Sequence, residues 1–80
     1  MSSIYIAHLN KGDVVTVKKE FHEDFRKDGM QTGLFYIVNS IGFSTNNNQF
    51  FCSLLGFRLD FPEEYFKKVA GYEAISFYSR

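Results

Sequence analysis

Tryptophan is absent from this sequence, and cysteine and proline each occur once among its 80 residues. A lone Cys52 cannot close an internal disulfide, which fits a reducing compartment. Net charge is absent as well, because nine basic residues meet nine acidic ones. Nucleic-acid domains usually carry a basic excess, and membrane-surface segments a polybasic cluster, so the balance disfavours both. No apolar run approaches the ~18–20 residues of a membrane helix. Met1-Ser2-Ser3-Ile4-Tyr5 has neither the basic start nor the long apolar stretch of a signal peptide. A cytoplasmic protein with no membrane partner is expected.

Recognisable chemistry is sparse too. His8 and His22 are the only histidines. A structural zinc site needs about four closely spaced ligands, and no such spacing occurs. Cys52 lies between Phe51 and Ser53 in a strand-like run, where a core thiol is a simpler reading than a nucleophile. No phosphate-cradling glycine motif is present. Asp13 reads as capping its own turn, and Glu63 and Glu64 as favouring the start of a helical turn. The sequence therefore predicts no enzyme, no cofactor and no metal.

Aromatic residues are plentiful: ten Phe and five Tyr. Each ring can bury about 150–250 Å². Fifteen rings exceed what one small core needs, so some are expected on a surface offered to a partner or to a second copy. The length allows a single domain, residues 1–80.

The clearest pattern is Phe57-Arg58-Leu59-Asp60-Phe61, which alternates apolar and charged residues with period two. It predicts a half-buried strand with Phe57, Leu59 and Phe61 inward. Pro62 stops that strand and suits the first position of a helical turn, expected near residues 62–68. Before it come a β-prone run at Ile4–Ala7, a turn at Asn10–Asp13, and a strand from Val14 to Phe21. Residues 22–33 are polar, with two glycines, and predict a long loop. Leu34–Phe43 reads as a central strand with a bulge or bend at Gly42. Ser44–Asn48 reads as a turn, Gln49–Leu55 as the next strand, and Tyr72–Tyr78 as the last. Five to six short strands with one short helical turn predict an all-β fold, closed into a small barrel that hides its edges.

Two segments resemble SH3-like barrels. Lys11-Gly12-Asp13-Val14-Val15-Thr16-Val17 resembles the K-G-D-x-hydrophobic-x-V turn and strand of that class. Phe61-Pro62-Glu63-Glu64-Tyr65-Phe66-Lys67-Lys68-Val69 resembles the P-x-x-Y-V-x-x-V element before the last strand, usually one turn of 3₁₀ helix. The resemblance implies a small SH3-like barrel. It does not extend to polyproline binding, because the tryptophan pair and the tyrosine-rich first strand are missing.

These features point to a small non-enzymatic protein-binding module, a modulator or inhibitor of a larger protein. Small phage-encoded inhibitors of host machinery have this general look. A nucleic-acid-binding barrel and a structural homo-oligomer are the rivals. For the first, Lys18-Lys19, Arg26-Lys27 and Lys67-Lys68 would have to converge, although acidic residues interleave them. The expected partner-binding surface combines Phe25, Arg26 and Met30 of the charged loop with Pro62, Glu64 and Tyr65 of the helical turn. Interface centres favour Tyr, Phe, Met and Arg. The alternative is that Phe25 and Met30 fold back to cap the core.

Overall fold

The computed structural model describes residues 7–69. They form a small all-β domain of one antiparallel five-stranded sheet, one short α-helix and two turns of 3₁₀ helix. The strands are β1 (Val14–Val17), β2 (Tyr36–Ser44), β3 (Gln49–Leu54), β4 (Asp60–Pro62) and β5 (Phe66–Lys68), in the spatial order β4-β3-β2-β1-β5. The helix α1 spans His22–Lys27, and the 3₁₀ turns span Lys19–Phe21 and Glu63–Tyr65. The expected strand Tyr72–Tyr78, and all but Ala7 of the expected run Ile4–Ala7, lie outside the described residues.

β2 is shared by the two halves of the sheet. Its first residues pair with β1 through Val14↔Ile37 and Val15↔Tyr36. From Val38 onward it pairs with β3. The register slips between Val38 and Ser40, where the strand passes from one half to the other. A bulge increases local twist and bends the strand. It falls at Asn39 rather than at Gly42, whose neighbours Ile41 and Phe43 pair in regular register with Cys52 and Phe50.

The two end strands, β4 and β5, are joined only by the three-residue turn Glu63–Tyr65. So short a link forces the sheet to roll until its ends adjoin. One face of each strand then points into a common core: Val15 and Val17, Tyr36 and Val38, Cys52 and Leu54, Phe61, and Phe66.

Several boundaries differ from the sequence reading, each for a local reason. The first strand ends at Val17, and Phe21 belongs to a 3₁₀ turn that leads into α1. The polar segment expected to be a loop contains α1, with Glu23 and Asp24 in its first turn and Arg26 and Lys27 in its last. Those charges complement the helix dipole, while the fully buried Phe25 pins the helix to the core. The strand expected across Phe57–Phe61 is only Asp60–Pro62. Gly56 turns the chain at φ 90°, and the Phe57 N–H donates to Leu54 O at 3.0 Å. Phe57 and Leu59 consequently stand 44% and 46% exposed, and Phe61 alone points inward, at 1%. Period-two alternation here marks an exposed connection followed by a short strand. The helical turn expected over 62–68 stops at Tyr65, because Phe66 returns to extended geometry and opens β5.

Other local expectations agree with the structure. Asp13 Oδ2 accepts the Asn10 N–H at 2.7 Å, closing the turn before β1. Asn48 holds φ 49° in the turn between β2 and β3, a conformation asparagine tolerates better than most residues. Cys52 is buried in the core.

Candidate functional site

The segment around α1 and the Glu63–Tyr65 turn lie side by side. The Lys18 N–H donates to Tyr65 O at 2.6 Å. The rings of Phe21 and Tyr65 stack at 4.7 Å with planes 18° apart. Behind this pair, Phe25 meets Phe61 at 5.0 Å, Phe66 at 5.7 Å and Tyr36 at 5.7 Å. An aromatic core therefore backs a partly exposed aromatic surface.

The six residues singled out from the sequence divide into two groups. Phe25 and Met30 are buried, at 0% and 7% exposure, and Met30 N donates to Phe25 O at 3.3 Å. Their side chains cap the core, as in the alternative reading, and present little to a partner. Arg26 and Glu64 are exposed, and Pro62 and Tyr65 half-buried. The Arg26 guanidinium donates to Thr32 Oγ1 at 3.2 Å, bracing the chain that leaves α1. Phe21, placed on a strand by its alternation, was missed as a surface residue. The signal lies in the sequence but depends on the chain breaking at Lys18, which alternation does not disclose.

Electrostatics mark the same surface. Partial burial pushes the Tyr65 hydroxyl above its ordinary pKa, and the nearby Asp24, Asp28 and Glu64 carboxylates push it further. Carboxylates from two elements thus act on the Tyr65 hydroxyl.

A second feature lies under the turn. Glu63 is buried, at 6% exposure, and both its carboxylate oxygens are engaged. Oε2 accepts the Leu9 N–H at 3.0 Å, and Oε1 lies 3.0 Å from His8 Nδ1. His8 Nε2 lies 3.2 Å from Phe66 O. A carboxylate expected to favour a helical start instead fastens the segment before β1 to the turn before β5. With both oxygens engaged, Glu63 has a structural role. Sequence could not reveal it, since Leu9 and Glu63 are 54 residues apart.

Elsewhere, Cys52 does not resemble a nucleophile. Burial pushes its thiol up to about 12, with Glu63 and Asp60 adding to the effect. Among the described residues no group of three or more His, Cys, Asp or Glu is placed to hold a metal ion. No helix among them is long and apolar enough to cross a membrane. A groove of about 490 Å³ opens on the outer face of β2, β3 and β4.

No protein-family model matches this chain, and neither a curated protein nor a solved structure matches it.

Proposed function

We propose that this protein is a non-enzymatic module that binds another protein through the surface formed by α1 and the Glu63–Tyr65 turn. The observation that carries the reading is the Phe21–Tyr65 stack, with Asp24, Asp28 and Glu64 acting on the Tyr65 hydroxyl. Arg26, Pro62, Glu64 and Tyr65 supply the contacts, and the buried Phe25 and Met30 hold the surface rigid from behind. Rigid aromatic residues at the centre of a patch, with charges at its rim, are what protein interfaces use. The surrounding carboxylates favour a partner segment of positive charge and oppose a phosphate backbone. A role as modulator or inhibitor of a larger protein, in the cytoplasm, belongs to the same proposal.

We further propose that the architecture is an SH3-like barrel. In support, a meander from β1 to β4 is followed by one 3₁₀ turn and a final strand that returns beside β1. Pro62 caps that turn and Tyr65 ends it, the two residues shared with the P-x-x-Y element.

Affinity capture from the source cell tests the binding reading. Asp24→Lys combined with Asp28→Lys changes two exposed residues and leaves the core intact. Captured protein should fall by at least about tenfold, equivalent to 1.4 kcal/mol. Undiminished capture would exclude this surface. A nucleic-acid binder would respond in the opposite sense, gaining affinity for single strands from the four units of added positive charge.

A further inference from the structure

We infer that the outer groove of β2, β3 and β4 is a second binding site, which takes an arginine side chain from a polypeptide segment. The groove shares no lining residue with the surface around Tyr65, and the inference does not depend on what binds there.

The groove arises from strand alternation. Cys52 and Leu54 of β3 point into the core, so Phe51 and Ser53 point outward. Gly42 pairs with Phe51, and Ser40 with Ser53. A side chain at Gly42 would stand beside the Phe51 ring, but none is there, and a Cβ built at that position meets nothing within 4 Å. Gly42 does not hold a positive φ, so the strand has no conformational need for glycine. Its effect is to leave the space beside the Phe51 ring open. Asp60, paired with Ser53, closes the far side.

The polar groups in this space are mainly acceptors. The Ser40 and Ser53 hydroxyls share one hydrogen bond at 2.6 Å, which uses one of their two protons and leaves lone pairs on both oxygens. Asn47 Nδ2 donates to Ser44 Oγ at 3.4 Å, leaving the amide oxygen as its open acceptor. The Asp60 carboxylate makes no hydrogen bond or ion pair with another described residue. Among the described residues no lysine or arginine lines the groove, and the one formal charge they place there is negative.

An acceptor-rich groove with a net negative charge and a phenyl wall calls for a flat, donor-rich cation. Guanidinium fits on each count. It has five N–H donors and no acceptor, stacks on aromatic faces, and binds carboxylate in a two-pronged geometry. Lysine would supply the charge but not the plane. Phosphate and carboxylate ligands are repelled by Asp60. The volume exceeds that of one guanidinium and falls within the roughly 300–1,000 Å³ of small-molecule sites. The excess leaves room for the residues flanking an arginine in an extended chain.

Titrating the ¹⁵N-labelled protein with the blocked tripeptide Gly-Arg-Gly tests this directly. Amide shifts should centre on Ser40, Gly42, Phe51, Ser53 and Asp60, and should saturate. The same peptide with neutral citrulline, or with lysine, should bind at least about tenfold more weakly, and free arginine more weakly than the tripeptide. Asp60→Asn should cause a loss of similar size. Gly42→Leu fills the groove, keeps the carboxylate and should abolish the shifts. Dispersed amide spectra of both variants verify the fold, and if Asp60→Asn fails to fold, Gly42→Leu decides. Absence of shifts in the groove, equal binding of the citrulline peptide, or indifference to Gly42→Leu would each overturn the proposal. Free arginine binding as tightly as the tripeptide would overturn the polypeptide occupant.

Discussion

Phe61 and Phe66 sit on the two end strands of the sheet, yet their ring centroids are 6.0 Å apart, edge to face at 82°. The contact joins the ends of the rolled sheet, and Phe25 from α1 closes against both rings. Two strands at opposite ends of the sheet order and the helix therefore depend on one aromatic cluster. In so small a domain, losing one such ring removes a large share of the core.

Phe61→Ala and Phe25→Ala are each expected to destabilise the domain by about 3–5 kcal/mol. Phe57→Ala and Leu59→Ala, at half-exposed positions, should each lose less than about 1.5 kcal/mol. Urea unfolding of the four variants gives the comparison. Equal losses would place Phe57 and Leu59 in the core, contrary to their exposure.

The Glu63 clamp makes a second stability prediction. Glu63→Ala leaves the Leu9 N–H buried without its acceptor and releases His8. The expected loss is about 1–3 kcal/mol. Glu63→Gln keeps an acceptor for Leu9 and should lose less. Glu64→Ala, one residue along and exposed, should stay within about 0.5 kcal/mol. Thermal denaturation resolves these differences, since 1 kcal/mol moves Tm by roughly 4–8 °C in a domain of this size.

The sequence disclosed what depends on neighbours along the chain. Strand character in β1, β2 and β3, the Asn-rich turn, the turn at Asp13 and the stop at Pro62 all follow from local alternation and turn chemistry. Alternation misled at Phe57 and Leu59 because it records which residues would share a face. It does not record whether the chain pairs with a neighbour there, and Gly56 delays that pairing to Asp60. Residues 22–27 looked like a loop because one apolar residue, Phe25, does not make a helical stripe. Its helix holds through a single deep anchor. The carboxylates around Tyr65 were each visible, but their convergence depends on the rolled sheet and could not be read in one dimension. The same holds for Glu63 and Leu9.

Cys52 offers a pH test with a defined sign. Its pKa is raised in the folded state from 9.0 to about 12, so the fold favours the neutral thiol. The associated stability is fully present below the unfolded pKa of 9.0 and declines as pH rises towards 12. Cys52→Ala should start from lower stability, because it leaves a small cavity, but should decline less steeply across that window. Urea midpoints measured from pH 8 upward compare the two slopes, and identical slopes would contradict a desolvated thiol. At neutral pH a maleimide reagent should modify the native protein far more slowly than the unfolded chain, since the thiolate is the reacting form.

The acidic border of the Phe21–Tyr65 surface can be tested without a partner. Burial and three carboxylates raise the Tyr65 pKa together, and the carboxylate part is removable. Asp24→Asn, Asp28→Asn and Glu64→Gln, combined, delete three negative charges at exposed positions and keep similar shapes. The Tyr65 hydroxyl should then ionise at lower pH than in the parent protein, though still above the ordinary value because its burial is unchanged. Tyr36 serves as an internal reference. Its pKa is raised chiefly by burial, so it should move little. Carbon-13 labelling of the tyrosine rings separates the two titrations. Because each raised pKa favours the neutral phenol in the fold, stability declines as pH climbs through the tyrosine range. The triple variant should lose less there than the parent. A Tyr65 titration that does not respond would mean that the carboxylates do not converge on the ring, and the proposed interface would lose its electrostatic basis.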